Sequence, residues 1–338
     1  MNNVSMPGSS NEELRLSETA VSGKLRVGNT FLEARRAAQA ARRFFDSKNL
    51  IRPTGDLLFK KLMTESPDAL LDLVNRVLKP ERRFVRAKVQ NTELLPELDG
   101  DKLSRLDVLM ECEDGTLVDV EMQCGPIEAL EQRAMFYASR IYSGALPEGD
   151  AYAQLPKCAV IFLLEEAYFQ QFEDGHNEFQ MCRTWPPGKP RVLLNNDLPS
   201  LHFVELGKLR SSGSIEDPIL TPWLGFMLPS SSEEWDKIAN ADPMFSELKM
   251  KVEKFSADHE LAMRQRAIDE GRMGRQIEMA GAYQRGKKEG REEGIARGRE
   301  AERKDIALRL LAKGMSKEEI AELQGISLEE LDGILAEL

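Results

Sequence analysis

Arg105-Leu-Asp-Val-Leu-Met-Glu-Cys-Glu-Asp-Gly-Thr-Leu-Val-Asp-Val-Glu-Met-Gln123 is a stretch of alternating polar and apolar residues, interrupted at Glu113-Asp-Gly115. Alternation on both sides of such a break is typical of two half-buried strands joined by a turn. In the second strand, one face carries Val118, Val120 and Met122, and the other carries Asp119, Glu121 and Gln123. The stretch therefore predicts a β-hairpin with acidic side chains on one face.

The length of the turn determines whether two of the carboxylates meet. If the turn is residues 113–115 with Gly115 left-handed, Asp107 lies opposite Glu121 on the same face. A two-residue turn would place them on opposite faces. Directly opposed Cβ atoms are about 4.5–5.5 Å apart, so the pair could share one divalent cation with oxygen ligands. The alternative is a solvated acidic face that binds no metal.

Other motifs surround the hairpin in a fixed order. They are Asp56-Leu-Leu-Phe-Lys60, Arg133-Ala-Met-Phe-Tyr137, Gly149-Asp-Ala-Tyr152, the apolar run Cys158–Leu164 and the charged segment Gly286–Gly298. Together with Asp107 and Glu121-Met-Gln123, they resemble the recombination-promoting nuclease or transposase family of the PD-(D/E)xK nuclease superfamily. The resemblance covers about residues 50–338.

This resemblance implies both a fold and an activity. The fold would be α/β, a restriction-endonuclease-like core with a small mixed sheet flanked by helices and a helical C-terminal extension. The activity would be hydrolysis of phosphodiester bonds in DNA, in recombination or transposition, with Mg²⁺ or Mn²⁺ held by Asp107 and Glu121. Gln123 would orient the water or the scissile phosphate. Asp56 is a further catalytic candidate, although an N-cap role would also explain it.

Gln123 stands where the superfamily motif has lysine, and Leu106 stands where it has proline. A glutamine amide donates hydrogen bonds but supplies no positive charge. The alternative function is therefore a catalytically weak or inactive module of the same fold that binds DNA or protein. Candidates for contacting phosphate or DNA are Lys60, Lys102, Arg105, Arg133 and Tyr137. The spacing of Tyr137 is also that of a core residue. Lys102 or Arg105 could instead form an ion pair with Asp107 or Glu121.

Composition indicates an intracellular enzyme with an uneven charge. The net charge of −11 divides into +4 for residues 1–52, −14 for 53–270, +4 for 271–304 and −5 for 305–338. The four cysteines show no Cys-x-x-Cys spacing and the three histidines no zinc-site spacing. No apolar run approaches the roughly 18 residues of a membrane span. We expect a cytoplasmic protein that binds DNA and no membrane.

The chain divides by composition into six segments. They are a disordered N-terminus (1–28), a basic helix (29–50), the nuclease-like core (51–210), a helical accessory region (211–270), a glycine-punctuated charged helix or linker (271–304) and a helix-turn-helix-like segment (305–338). The basic helix would either contact DNA or pack on the core. Glycine every fourth residue from 286 to 298 favours a flexible linker unless a partner pairs with it.

Two capping boxes predict the last two short helices, at Ser316-Lys-Glu-Glu319 and Ser327-Leu-Glu-Glu330. The second helix carries no Lys or Arg, so it is poorly suited to the major groove. Its apolar face needs burial, either against the core or against a second subunit. A homo-oligomer formed through the C-terminal helices is therefore one of the two arrangements that the sequence allows.

Overall fold

The structure is a computed structural model that describes residues 32–90, 107–125, 128–147, 149–184, 191–211 and 218–336. The predicted disordered N-terminus and the candidates Lys102 and Arg105 lie outside these residues. The chain forms two compact units, Met1–Asp269 and Glu270–Leu338. None of the described helices is both long and apolar enough to cross a membrane.

The first unit is built on a mixed sheet. The strands are β1 (Ala87–Gln90), β2 (Val108–Cys112), β3 (Leu117–Gln123), β4 (Cys158–Leu164), β5 (His176–Phe179), β6 (Cys182–Arg183), β7 (Val192–Leu193) and β8 (Ser200–Glu205). Six of them form one sheet in the order β1-β2-β3-β4-β8-β5, and β6 pairs with β7. Strands β3, β4 and β8 are parallel, whereas β1, β2 and β5 pair antiparallel with their neighbours.

Helices account for most of the remaining chain. They are α1 (residues 32–47), α2 (Asp56–Thr64), α3 (Pro67–Leu78), α4 (Leu130–Gly144), α5 (Leu206–Ser211), α6 (Thr221–Met227), α7 (Ser232–Ala241), α8 (Pro243–Ala257), α9 (His259–Ala312), α10 (Lys317–Gln324) and α11 (Leu328–Ala336). One apolar cluster joins a face of the sheet to α2, α3 and α6–α8, and a second joins the other face to α4. The sheet therefore lies between two helical layers.

The predicted hairpin and its register are confirmed. Val108 pairs with Val120 and Met110 pairs with Val118, which places Asp107 opposite Glu121. The backbone N–H of Cys112 donates to the carbonyl of Thr116 at 2.9 Å, closing a turn of residues 113–115. Gly115 takes a φ of +85°, the left-handed conformation that this turn requires.

Strand β1 begins at Ala87, and the preceding residues 84–86 lie outside it. The side chain of Asn75 bonds both backbone groups of Phe84, at 2.8 and 2.9 Å. The carboxylate of Glu113 accepts from the backbone N–H groups of Val85 and Arg86. Because side chains satisfy the backbone here, residues 84–86 do not join the ladder of the sheet.

Helix α1 packs on the core, which is one of the two arrangements expected for the basic helix. Its buried side chains are Ala34, Ala38, Ala41, Phe44 and Phe45. Arg42 binds the fully buried Glu165 at 2.8 Å, and Arg52, which follows the helix, binds the same carboxylate at 3.0 Å. At least one arginine of α1 is thus used to hold the helix at the end of β4.

The tail differs from two expectations. Residues 271–304 are helical within α9, so the flexible-linker alternative is wrong, and a Cβ added at Gly286, Gly290, Gly294 or Gly298 would meet open space. Both capping boxes are confirmed at Ser316 and Ser327. The apolar faces of α10 and α11, including Ile320 and Leu331, pack on Ala307 near the end of α9. They are buried within the second unit, against α9.

Glu165→Gln should lower the free energy of unfolding by about 1–3 kcal/mol at pH 7. Arg42 and Arg52 lose the buried carboxylate that they share and keep only their partly exposed partners, Glu166 and Asp269. Burial works to raise the pKa of Glu165, but Arg52 and Arg42 outweigh it and hold the pKa below its usual value. The stabilisation is therefore present above about pH 4.3 and lost as the pH falls further. Urea denaturation between pH 7 and 3 should show the difference from wild type shrinking.

Glu166→Gln is the matched control, because Glu166 is partly exposed and binds only Arg42. It should change stability by no more than about 1 kcal/mol. Equal losses in the two variants would contradict the role assigned to Glu165.

Candidate active site

Asp107 and Glu121 are held together across the hairpin by reciprocal hydrogen bonds. The backbone N–H of Asp107 donates to Glu121 Oε1 at 2.8 Å, and the backbone N–H of Met122 donates to Asp107 Oδ2 at 2.9 Å. Each carboxylate is thus fixed by the backbone of the opposite strand and keeps a second oxygen for another partner. The two predicted acids lie side by side at the end of β3.

The acidic face is not solvated, which rules out the alternative of an exposed acidic hairpin. Helix α4 covers this face of the sheet, and Glu121 is fully buried. Asp119, two residues earlier on the same face, is also fully buried. Among the described residues, neither carboxylate oxygen of Asp119 has a hydrogen-bond partner.

Asp119 was missed as a candidate. The two-residue alternation of β3 places it on the face of Glu121, and this signal was available in the sequence. What the alternation could not show is the cover that α4 provides, because that contact joins distant parts of the chain. A buried acid without partners is rare in proteins and marks a site under functional constraint.

The three acids perturb one another. Burial raises the pKa of Asp107 to about 6 despite the hydrogen bond from Met122. Burial, followed by the charge of Asp107, raises the pKa of Asp119 well above its usual value. The pKa of Glu121 is also well above its usual value, through burial and then through Asp119 and Asp107. Burial and mutual repulsion thus oppose ionisation of all three carboxyls, and a divalent cation bound among them would favour the ionised forms.

Helix α2 brings Asp56 and Lys60 to this site. The N-cap residue of α2 is Gly55, and the side-chain oxygen of Gln265 accepts from the N–H of Leu57 in the first turn at 3.0 Å, so the N-cap explanation for Asp56 is wrong. After burial and the Met122 hydrogen bond, the charge of Asp56 raises the pKa of Asp107 further and that of Lys60 lowers it. Both side chains are therefore within electrostatic reach of Asp107.

Arg133 and Tyr137 project from α4 towards the same acids. Arg133 Nε donates to the Tyr137 hydroxyl at 2.9 Å, and its Nη2 lies 3.5 Å from Glu121 Oε2. Tyr137 is buried and stacks on Phe162, with ring centroids 6.1 Å apart. Tyr137 thus occupies a core position, as its spacing indicates, and orients an arginine that is 37 % exposed.

Gln123 ends β3 on the same face as Glu121 and is half-buried. Its backbone carbonyl accepts from the N–H of Glu165 at 3.0 Å, which ties this end of the strand to the Arg42–Arg52 cluster. Lys102 and Arg105, two of the candidates for contacting phosphate or DNA, lie outside the described residues. Among the described residues, Lys60 and Arg133 bring positive charge to the acids.

A mixed sheet between helical layers, with paired acids at the end of a central hairpin, is the arrangement of a restriction-endonuclease-like fold. A family model described as PD-(D/E)XK nuclease family transposase matches residues 53–276, and the chain belongs to this family. The resemblance recognised in the motifs is thereby confirmed. The comparison with curated proteins and the comparison with solved structures gave no match.

Asp119→Asn should stabilise the metal-free protein at neutral pH. A carboxyl whose pKa is raised by folding costs stability as the pH rises above about 3.9, its usual value, and the amide removes that cost. We expect the variant to equal wild type near pH 4 and to exceed it by about 1–3 kcal/mol at pH 8 in EDTA, measured by denaturation.

Asp114→Asn is the control, since Asp114 is exposed in the turn of the same hairpin. It should change stability by less than about 0.5 kcal/mol at either pH. A loss of stability in Asp119→Asn at pH 8 would mean that the Asp119 carboxylate has a stabilising partner, which would contradict its assignment as an uncompensated buried acid.

Proposed function

We propose that the protein is a metal-dependent DNA endonuclease that hydrolyses phosphodiester bonds in DNA recombination or transposition. The observation that carries the proposal is the pair formed by the half-buried Asp107 and the buried Glu121, bonded reciprocally across the hairpin at 2.8 and 2.9 Å. Membership in a nuclease family supports the reaction class. Three points go beyond family membership and are proposed here: the dependence on a metal, the cleavage of internal bonds, and the role in recombination or transposition.

The ligands of the metal would be Asp107 and Glu121. Among the described residues, no group of three or more His, Cys, Asp or Glu is already arranged to hold a metal. The proposed ligand set is two carboxylates completed by water and by substrate oxygens, which is how Mg²⁺ is commonly held at phosphate-processing sites. When bound, Mg²⁺ or Mn²⁺ would polarise the phosphate and lower the pKa of a water.

The other side chains of the site bind and orient the reactants. Arg133, whose guanidinium is positioned by Tyr137, can donate to a phosphate oxygen beside Glu121. Gln123 donates an amide hydrogen bond to the attacking water or to the phosphate, and so fixes its direction of approach. The proposed role of Asp56 is to add a further acidic group near Asp107, beside Glu121 and Asp119.

Asp107→Asn and Glu121→Gln should each abolish metal-dependent nicking of supercoiled plasmid. Each amide keeps an oxygen that can accept the backbone hydrogen bond, yet it removes the charge that holds the cation. We expect cleavage to fall by at least about 10³-fold and the rise in melting temperature caused by Mg²⁺ to disappear.

Asp114→Asn, in the turn of the hairpin, should cleave and bind metal like wild type. EDTA should stop cleavage by wild type, and Mn²⁺ should restore it. Undiminished nicking by the folded Asp107 and Glu121 variants would remove both residues from the mechanism.

Gln123→Ala should lower the cleavage rate, because it removes a donor that orients the reacting groups, whereas Gln123→Lys should keep or raise it by adding a cation beside the phosphate. Plasmid-nicking rates of the two variants at saturating Mg²⁺ measure this. An alanine variant as fast as wild type would make Gln123 a passive strand residue.

The second candidate function is a module of the same fold that binds DNA or protein with little or no catalysis. The glutamine at position 123 favours it, as does the net charge of −14 on residues 53–270. The plasmid assay separates the candidates, since a binding module retards the plasmid on a gel without nicking it in Mg²⁺ or Mn²⁺.

A further inference from the structure

A pocket of about 500 Å³ opens beside Asp107, between α2 and β1. Lys60 and Thr64 line it from α2, and Lys88 and Gln90 line it from β1. Strand β1 is at one edge of the six-stranded sheet. The pocket therefore connects the acidic site to an open edge of the molecule through a lining that contains two lysines.

Lys60 stands between this pocket and the acids. It lies one turn after Asp56 on α2 and is half-buried. Burial is the main influence on the pKa values of Asp107 and Asp119, and the charge of Lys60 lowers both values. A cation that reaches both the carboxylates and the pocket can bind a phosphate placed next to a metal on Asp107.

The surface leading to the pocket carries several exposed basic side chains, although two exposed acids lie among them, Glu111 opposite Lys88 and Glu113 beside Arg86. Arg82, Arg86 and Lys88 are exposed along the approach to β1 and on the strand itself. Arg83, by contrast, is paired with Asp72 at 2.7 Å. Because residues 53–270 carry a net charge of −14, a polyanion is repelled by most of this segment and is favoured along this path.

We propose that this pocket binds the phosphodiester backbone of the DNA substrate next to the bond that is cut. Lys60 contacts the phosphate beside Asp107, and Lys88 contacts a phosphate farther along the same strand. The inference rests on the proposed nuclease function and deepens it, because it assigns the path by which DNA enters the site. Lys60 on α2 also brings a positive charge to the site, which the neutral Gln123 on β3 cannot do.

The test is the salt dependence of DNA binding, measured by fluorescence anisotropy with a labelled duplex and with Ca²⁺ in place of Mg²⁺. Each lost phosphate contact should reduce the slope of log K against log salt by about 0.9. Lys60→Gln and Lys88→Gln should each show this reduction, and the double variant should show about twice as much. In Mg²⁺, Lys60→Gln should also lower kcat by about 10²-fold, whereas Lys88→Gln should raise KM and leave kcat nearly unchanged.

Lys61→Gln is the matched control, because Lys61 is the next residue on the same helix and pairs with Glu65 at 2.8 Å. It should keep the wild-type salt slope and cleavage rate. If Lys60 serves only to compensate the carboxylates, Lys60→Gln will change the melting temperature without changing the slope, and the proposal fails. Wild-type protein that neither binds nor nicks DNA would instead overturn the proposed function itself.

Discussion

The three-residue turn at Gly115 sets the constraint on which the site depends. It fixes the register of β2 against β3 and thereby places Asp107 opposite Glu121. Since side chains alternate along a strand, a slip of one residue would send the two carboxylates to opposite faces. The reciprocal hydrogen bonds between each carboxylate and the opposite backbone then hold this register at the open end of the hairpin.

Burial changes the ionisation of the acids that this geometry brings together. Helix α4 covers the acidic face, so Asp119 and Glu121 lose water as well as gaining like-charged neighbours. A protein that needed only stability would place apolar residues at these positions, because unpaired buried acids are costly. Here the acids are present, and Lys60 and Arg133 compensate only part of their negative charge. This is the arrangement expected of a site that binds a cation.

The sequence predicted those features that depend on local rules, namely the hairpin, its turn, the register and the two C-terminal capping boxes. It could not predict features that depend on distant contacts. The alternation of β3 places Asp119 on the face of Glu121, but only the packing of α4 makes it buried. The start of β1 at Ala87 depends on the side chains of Asn75 and Glu113, and the C-terminal apolar faces are buried by Ala307 and its neighbours on α9.

The most direct test of the central claim is a crystal structure of the protein soaked with Mn²⁺, with the anomalous signal of the metal recorded. The account predicts a peak between Asp107 and Glu121, with one oxygen of each carboxylate about 2.0–2.2 Å from the ion. An empty site at saturating Mn²⁺, or a peak bound only by other residues, would contradict it.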